Sequence, residues 1–309
     1  MIFENFRLRL ICLQENTDLI YNFSGSSQFF TKIPQLVKIH NLLFYSRNLD
    51  KFYRKKYKFL LWLKHVFFKR QLFKIMLSKS RYVEIQSEHV ATHLLDFVDM
   101  NQIKCFIKSD IDVCDSSFSA PRKYEFSKTI KILYIVGPHF EYPHKNFLEF
   151  TKAMLDLKNL KVDFEIHVTL SDRQLNQSSV WHSSLNSCTH FHGYITDSEQ
   201  MESLFCDNTI LISTSIVETL GLHVIEAIKK GVISVVPNES YARAVYGRKM
   251  FSYKLFDETA LANTVINIIN YRGQPHEKIK SIQNDLIESE KSKFNSILDV
   301  FDEVINVSK

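Results

Sequence analysis

The sequence predicts an α/β fold built on parallel, doubly wound sheets. From residue 130 onward, apolar segments with strand character alternate with segments of helical periodicity, a pattern typical of parallel sheets. The 309 residues exceed the usual size of one domain, and a hydrophobic content of 45% is sufficient for two cores. We therefore expect two domains, each with its own sheet.

The elements of the first half are weakly marked. Residues 36–40 have the composition of a buried strand, and residues 82–86 alternate as a second strand. The polar, turn-rich stretch 108–122 is the best candidate for a linker. On these grounds we place an N-terminal domain at residues 1–125.

The elements of the second half are marked more sharply. Buried strands are predicted at four segments, 130–136, 162–168, 209–213 and 232–236. Helices are predicted to begin near Asn146, Asp197, Gly221 and Asp257. These elements form a second domain at residues 126–285, and we expect the helix at 286–309 to pack back on the first domain. Sheets of this kind bind ligands beyond the carboxyl ends of their strands.

Positive charge is concentrated in residues 51–81. This stretch carries 11 Lys and Arg residues and no acidic residue, whereas the whole chain has a net charge of only +5. Helices with basic and aromatic faces lie in membrane interfaces, although the same residue types also bind nucleic acid. A third interpretation buries the aromatic side chains in the first domain. We favour the inner-leaflet membrane surface as the partner and expect no nucleic acid.

The expected location is the cytoplasm, peripheral to the inner face of the membrane. Five widely spaced cysteines without a CxxC pair indicate a reducing compartment. No apolar run approaches the roughly 20 residues that cross a bilayer, and the first residues do not resemble a secretory signal. Asp110 and Asp112 form an Asp-x-Asp pair in the polar linker, where chance occurrence is frequent, so we expect no metal site.

The most informative segment runs from Ser213 to Gly231. A buried strand ends in a small polar loop, Glu218 follows, and Gly221 opens a helix in which Glu226 lies about one turn from the start. The first amides of a helix have no intrahelical partner and can bind phosphate oxygens. Two carboxylates beside a diphosphate cannot both face it, because like charges repel. They are expected to accept hydrogen bonds from neutral hydroxyls instead, such as those of a ribose and a sugar. The alternative is a helix whose acidic residues only flank its positive end.

Glu218 and Glu226 are separated by seven residues that include Gly-Leu and are preceded by Ile-Ser-Thr-Ser. This pattern resembles family 4 of the retaining glycosyltransferases. Tyr-Pro-His-Lys-Asn at 142–146 is similar to the basic loop of that family, and Phe-His-Gly at 191–193 to a strand end near the nucleotide base. The resemblance covers about residues 130–270 and is closest to bacterial enzymes that build O-antigen, capsule or lipopolysaccharide sugars.

The resemblance implies a GT-B fold, in which two Rossmann-like domains with parallel sheets face a central cleft. It also implies retaining, metal-independent transfer of a sugar from a UDP- or GDP-linked donor to a saccharide acceptor, which is lipid-linked in these pathways. The nucleotide sugar is then a substrate, and no cofactor is expected.

The resemblance assigns roles to individual residues of the second domain. Lys145 binds the diphosphate, Glu218 the sugar hydroxyls and Glu226 the ribose. Backbone groups that face the phosphate, the transferred sugar or the base belong to Leu220, Gly221, Leu222 and Gly193.

Three histidines complete the predicted site. His40 follows a strand, as does the histidine that orients the sugar or acceptor in this family, although a histidine at a strand end is also ordinary. His139 stands where the family usually has an arginine; a neutral imidazole there would weaken diphosphate binding, so we expect either a protonated His139 or another cation in the place of the arginine. His223 stands where proline is common, and its side chain either reaches a phosphate or has no role.

The first domain is expected to be shortened. Members of the family usually open with a strand and a glycine-rich loop, whereas here only Gly25 precedes Gly137. Two alternatives follow. The chain is a non-catalytic relative that binds a nucleotide or sugar or acts as a scaffold, or it is a basic nucleic-acid-binding protein.

Overall fold

The computed structural model describes residues 2–23, 25, 27–28, 31–40, 47–55, 59–95, 98–99, 103–109, 118–271, 275–289, 294 and 296–308. The chain divides into two compact units. Unit 1 is Met1–Asp112 with Glu290–Lys309, and unit 2 is Val113–Ser289. Each unit contains a parallel sheet, so the predicted α/β class is confirmed.

Unit 1 is built on four parallel strands in the order β1-β2-β3-β4. The strands are β1 (Ile20–Asn22), β2 (Gln35–Ile39), β3 (Tyr82–Ile85) and β4 (Lys104–Ile107). The helices that precede or connect them are α1 (Ile2–Gln14), α2 (Arg47–Lys55), α3 (Phe59–Trp62), α4 (Phe68–Leu77) and α5 (Glu88–Leu95). A π-helical segment at Leu63–Phe67 joins α3 to α4.

Unit 2 is built on six parallel strands in the order β10-β9-β8-β5-β6-β7. The strands are β5 (Ile130–Tyr134), β6 (Phe164–Val168), β7 (Thr189–Phe191), β8 (Thr209–Ile212), β9 (Ile233–Pro237) and β10 (Phe251–Tyr253). The helices are α6 (Phe147–Asn159), α7 (Asp172–Asn176), α8 (Ser198–Ser203), α9 (Leu222–Lys229), α10 (Ser240–Tyr246), α11 (Ala260–Ile269) and α12 (Pro275–Ser289), with 3₁₀ turns at Pro143–Lys145 and Ser183–Cys188.

The strand order of unit 2 places a topological switch point between β5 and β8. The chain runs outward from β5 through β6 to β7, returns to β8 beside β5, and continues outward on the other side. Every residue of β8 and β9 is buried, as expected for central parallel strands with both faces covered. Sheets of this order bind ligands where the direction of winding changes, at the carboxyl ends of the two central strands.

The last helix, α13 (Ile297–Ser308), belongs to unit 1 although unit 2 separates it from the other elements of that unit. Val300 and Val304 lie one helical turn apart and are fully buried. They share a core cluster with one residue from each of three strands, Leu36, Tyr82 and Phe106. One face of the sheet of unit 1 is thus covered by the end of the sequence.

Residues 118–125 lie in unit 2, whereas the sequence predicts them in the N-terminal domain. The amide of Ser119 donates to the carbonyl of Lys229 at 2.7 Å, and the Tyr124 hydroxyl donates to the carbonyl of Thr209 at 2.6 Å. Polar groups of residues 118–125 therefore find their hydrogen-bond partners in unit 2. The turn-rich composition of the stretch does not reveal those partners. Residues 110–117, with the Asp-x-Asp pair, lie outside the described residues.

The basic stretch 51–81 forms most of α2, α3, the π-helical segment and α4. Asp50 links these helices, because it accepts a hydrogen bond from Trp62 Nε1 at 2.5 Å and pairs with the largely buried Arg70 at 3.1 Å. Large apolar side chains nonetheless remain exposed, and we call them the exposed apolar surface: Phe59, Leu60, Leu61, Phe68, Leu72 and Ile75. Within the described ranges, no helix is long and apolar enough to cross a membrane.

Candidate active site

Two loops of unit 2 meet at the topological switch point. Lys145 lies in the loop after β5, and Glu218 lies in the loop after β8. Lys145 Nζ is 2.6 Å from Glu218 Oε1, and the side chains are 26% and 15% exposed. Because both groups are largely withdrawn from water, their attraction is screened less than that of a surface pair.

Buried hydroxyls and backbone groups hold the two loops together. The amide of Ile216 donates to the carbonyl of His144 at 2.7 Å. The Thr214 hydroxyl donates to the carbonyl of Lys145 at 2.7 Å, and the Tyr134 hydroxyl lies 2.8 Å from Thr214 Oγ1. The end of β5 and the loop after β8 therefore fix the backbone of the Lys145 loop.

Glu218 is an ionised carboxylate at neutral pH. Burial alone would raise its pKa, but the Lys145 ammonium and hydrogen bonds from Lys145 and Ser215 outweigh burial and hold the pKa below its usual value. An ionised carboxylate only accepts hydrogen bonds, so Glu218 suits ligand groups that donate, such as hydroxyls.

Two histidines beside this pair are neutral. Burial lowers the pKa of His223 to about 4 despite the opposing effect of Glu218, and burial together with Lys145 lowers the pKa of His144 to about 4. His223 Nε2 lies 3.2 Å from Ser213 Oγ, so this nitrogen faces the end of β8. A neutral imidazole in this position offers a hydrogen bond to a ligand and no positive charge.

Helix α9 begins beside the pair, at Gly221. Gly221 has φ 60° and ψ 58°, a left-handed conformation that favours glycine. A Cβ atom at this position would lie 1.9 Å from the buried Tyr246 hydroxyl oxygen and 3.5 Å from Glu218 Cγ. Leu220 is buried, Gly221 is half-buried and Leu222 is exposed, so the start of α9 is accessible to solvent at Gly221 and Leu222.

Glu226 differs from Glu218 in its surroundings. It lies on α9, one turn after the helix begins, and its side chain is exposed. Partial desolvation raises the pKa of Glu226 above its usual value against the opposing charges of Lys229 and Lys230. It does not share the Lys145 interaction, so the two acidic residues are available for separate ligand groups.

The remaining predicted residues lie in the loop after β5, after the edge strand β7 and in unit 1. His139 is exposed in the loop after β5 and stacks on Tyr142, with 4.7 Å between ring centroids. Gly193 follows the edge strand β7, which β6 separates from β5. His40 follows β2 in unit 1, where it is exposed and stacks on Phe23 at 5.5 Å.

The residues that position Lys145 and Gly221 were not predicted from the sequence. Tyr134 and Thr214 connect the loops, and Tyr241 supports the second loop by donating to the carbonyl of Ser215 at 2.5 Å. Tyr246 fills the space that a side chain at position 221 would need. The available signal was that tyrosines at the ends of apolar segments require hydrogen-bond partners, but the sequence does not identify those partners.

Residues 130–271 match the model of a family described as Glycosyl transferases group 1. Unit 2 contains a glycosyltransferase group 1 domain. This domain includes both strands of the switch point, the Lys145–Glu218 pair and all of α9. Among curated proteins, none matches the sequence of this chain.

Solved structures of glycosyltransferases resemble the whole chain. Sucrose-phosphate synthase from Thermosynechococcus elongatus is 16% identical with a TM-score of 0.64, covering 98% of this chain and 75% of its own. A glycosyltransferase from Rickettsia africae ESF-5 is 17% identical with a TM-score of 0.63, covering 98% of this chain and 81% of its own. Anabaena HepE, in complex with UDP and glucose, is 13% identical with a TM-score of 0.59. That match covers 97% of this chain and 80% of the HepE chain.

These likenesses extend over both units and show the fold. The glycosyltransferase domain of unit 2 and the parallel sheet of unit 1 together form a GT-B fold, as the sequence predicted. Among the described residues, the sheet of unit 1 has four strands and the sheet of the glycosyltransferase domain has six. This difference agrees with the predicted shortening of the first domain.

Proposed function

We propose that the protein is a family 4-like retaining glycosyltransferase that takes its sugar from a UDP- or GDP-linked donor. The observation that carries the proposal is the Lys145–Glu218 pair at the switch point of the glycosyltransferase group 1 domain. A cation that binds phosphate and an anion that binds hydroxyls lie 2.6 Å apart there, beside the start of a helix.

Lys145 and α9 would bind the donor diphosphate together. A lysine ammonium has three N–H donors, and the interaction with Glu218 uses one of them, so two remain for phosphate oxygens. The first amides of α9, near Gly221 and Leu222, would supply further donors at the positive end of the helix dipole. This arrangement would stabilise the leaving diphosphate as the glycosidic bond breaks.

Glu218 would bind hydroxyls of the transferred sugar, and Glu226 would bind the ribose. The lowered pKa of Glu218 favours acceptance of hydrogen bonds from sugar hydroxyls, each of which contributes roughly 1.5–3 kcal/mol. In this mechanism no protein side chain is a nucleophile. Configuration is retained through a short-lived oxocarbenium-like state, and neither a metal ion nor a cofactor is required.

The acceptor in this proposal is a lipid-linked saccharide of surface polysaccharide synthesis, and His40 of unit 1 would orient it. The exposed apolar surface supports a membrane location, because the lysines Lys51, Lys64 and Lys69 around it are also exposed. Apolar side chains and neighbouring lysines are complementary to the inner leaflet, whose lipids are anionic. The protein would then act peripherally, at the cytoplasmic face of the membrane.

Calorimetric titration of the purified chain with UDP- and GDP-sugars tests the donor site. We expect one family of nucleotide sugars to bind. Glu226→Ala should weaken binding by about 10- to 100-fold, because the lost hydrogen bonds are charge-assisted. Glu277→Ala, a change of an exposed glutamate on α12, is the matched control and should bind like the wild type. Absence of binding by any nucleotide sugar, or wild-type affinity in Glu226→Ala, contradicts the proposal.

The second candidate function is nucleotide-sugar binding without transfer. His139 favours it, because a solvent-exposed imidazole stacked on Tyr142 replaces the arginine usual in the resembled family. Incubation of donor with membrane extract separates the two functions. Release of free nucleoside diphosphate that depends on Lys145 supports transfer, whereas tight donor binding without release supports the non-catalytic alternative.

A further inference from the structure

Four polar side chains lie on one face of the sheet of unit 2, away from the Lys145–Glu218 pair. Glu165 and His167 belong to β6, and His190 belongs to β7. The two strands are parallel neighbours in which His167 lies directly beside His190. Because alternate residues of a strand share a face, Glu165, His167, His190 and the following His192 point to the same side.

Three of these side chains bring potential metal-ligand atoms close together. Glu165 Oε2 lies 3.2 Å from His167 Nε2 and 3.0 Å from His190 Nε2, and all three ligand atoms lie within 4.8 Å of one another. A tetrahedral zinc ion with bonds of about 2.0–2.2 Å places its ligand atoms roughly 3.3 Å apart. The carboxylate oxygen is therefore already near the ligand spacing of zinc relative to both imidazoles.

His192 supplies the outer support that metal-bound histidines usually have. His167 Nδ1 lies 3.0 Å from His192 Nε2, on the side of the ring away from Glu165. A metal on Nε2 of His167 leaves the proton on Nδ1, which then donates to His192. Such a hydrogen bond fixes the tautomer and orientation of a metal-binding imidazole.

We propose that Glu165, His167 and His190 form a binding site for a divalent transition metal, with Zn²⁺ as the best fit, and that His192 positions His167. Two imidazoles and a carboxylate suit Zn²⁺ better than they suit Mg²⁺ or Ca²⁺, which prefer all-oxygen sites. The His190 side chain is 54% exposed, so the site is open to solvent and has room for a water as fourth ligand.

The proposed site would join the edge strand β7 to the rest of the sheet. β7 has three residues and pairs only with β6 among the described strands, so a metal bridge between them would strengthen a short pairing. The chain continues from His192 directly into Gly193. The metal would thereby order the start of the loop after β7, independently of whether the proposed transfer reaction occurs.

Titration of the chelator-treated, full-length protein with Zn²⁺ tests the site, with calorimetry and thermal unfolding as readouts. We expect one Zn²⁺ per chain with micromolar or tighter affinity, and an unfolding temperature that rises with Zn²⁺. His190→Ala should weaken binding by about 100-fold and abolish the rise, because an exposed ligand is removed with little effect on packing. His276→Ala, a change of an exposed histidine on α12, should leave both unchanged.

Two further variants keep the test decisive. Glu165→Gln removes the ligand charge without changing the shape of the side chain and should weaken Zn²⁺ binding like His190→Ala. His192→Ala should weaken binding by about 10- to 100-fold, as expected for loss of outer support. If Zn²⁺ binds equally well to the wild type and to both ligand variants, or if no Zn²⁺ binds to the wild type, the four side chains are only a hydrogen-bonded network and the proposal is wrong.

Discussion

Lys145 and Glu218 lie 73 positions apart in the sequence, and each alters the chemistry of the other. Lys145 helps to hold the pKa of Glu218 down, and Glu218 orients the ammonium of Lys145. Removing either residue leaves a partly buried charge without its partner, which costs more than the pair itself contributes. At the residue scale, the site is therefore a coupled unit, and single substitutions within it affect both stability and binding.

Gly221→Ala is expected to destabilise unit 2 and to abolish donor binding. The left-handed backbone costs an alanine about 1–2 kcal/mol, and the added Cβ also collides with the Tyr246 hydroxyl oxygen 1.9 Å away. In a Trp62→Phe background, urea unfolding followed by the fluorescence of Trp181 in unit 2 measures the first effect, and calorimetry with the nucleotide sugar measures the second.

Gly193→Ala is the control for this prediction. Gly193 also has a positive φ, 69°, but no atom lies within 4 Å of the position its Cβ would take. Gly193→Ala should therefore lose only the stability that the left-handed backbone costs an alanine, with no loss from a steric collision. Adding Tyr246→Phe to Gly221→Ala removes the colliding oxygen and should recover part of the lost stability. Equal losses in the two glycine variants would contradict the proposed collision.

His223 should make stability depend on pH between about 4 and 6.5. Its pKa in the folded state is lowered to about 4, whereas an unfolded histidine titrates near 6.5. As pH falls through this window, the unfolded state gains a proton that the folded state does not. The stabilisation is therefore complete above pH 6.5 and is lost toward pH 4, with a slope of at most about 1.4 kcal/mol per pH unit.

The stability of His223→Asn should consequently fall less steeply than that of the wild type over this window. Urea unfolding at several pH values, again followed through Trp181, gives the two slopes. His144 titrates in the same range but is present in both proteins, so it cancels in the difference. His276→Asn should keep the wild-type slope, and an unchanged slope in His223→Asn would show that His223 is already protonated when folded.

The types of the site residues were predictable from the sequence, but their connections were not. The loop after β8 and the glycine before α9 follow from local composition, so Glu218 and Gly221 could be proposed directly. The partners of Tyr134, Thr214 and Tyr246 are set by sheet register and side-chain packing, which local patterns do not encode. The same reason explains why Glu165, His167 and His190 were not recognised as a candidate metal site: parallel pairing joins residues more than 20 positions apart.

At the scale of elements, four strands of unit 2 were predicted well, because their residues are either continuously buried, as in β8 and β9, or mostly buried or alternating, as in β5 and β6. The predicted segments 130–136, 162–168, 209–213 and 232–236 correspond to β5, β6, β8 and β9. The short edge strands β7 and β10 carry a weaker signal, since each has only three residues. Helix α1 was not predicted; among its described side chains, Leu10, Ile11 and Leu13 are exposed and Cys12 is buried, so they show no clear apolar face.

Val304→Ala should destabilise unit 1 by about 1–3 kcal/mol without affecting unit 2. Val304 lies on the face of α13 that packs against the sheet, and it is fully buried. Truncating its side chain therefore removes apolar contact and leaves a cavity. The protein has two tryptophans, and Trp62 lies in unit 1. In a Trp181→Phe background, urea unfolding followed at Trp62 reports on unit 1 alone.

Val307→Ala provides the comparison on the same helix. Val307 is 52% exposed, so its truncation should change stability by no more than about 0.5 kcal/mol. If Val304→Ala and Val307→Ala have equal effects, α13 does not contribute to the stability of unit 1 through the core cluster.

At the scale of the whole molecule, the exposed apolar surface should control binding to anionic vesicles. Leu60→Ser with Phe68→Ser should reduce sedimentation with phosphatidylglycerol vesicles by at least about 10-fold, because two exposed apolar side chains lose their contact with lipid. Leu298→Ser, at a 64% exposed position of α13, should bind like the wild type. Competition of vesicle binding by oligonucleotides would instead favour the nucleic-acid interpretation of residues 51–81.

The two-domain architecture was predictable from length and from the alternation of elements, whereas its boundaries were not. The sequence placed them after residues 125 and 285, and the structure has them after Asp112 and Ser289. Polar residues give little indication of which unit satisfies their backbone groups. Residues 118–125 could be assigned to unit 2 only from their hydrogen bonds.

The contribution of α13 to unit 1 makes that unit discontinuous along the chain, with unit 2 inserted within it. During synthesis, every strand of unit 2 leaves the ribosome before the helix that covers the sheet of unit 1 is made. At about 5–20 residues per second, α13 follows Ser289 by roughly one to four seconds, during which Leu36, Tyr82 and Phe106 lack their cover. We expect a chain truncated after Ser289 and released from the ribosome to show a protease-resistant unit 2 and a protease-sensitive unit 1, so the domain made second matures first.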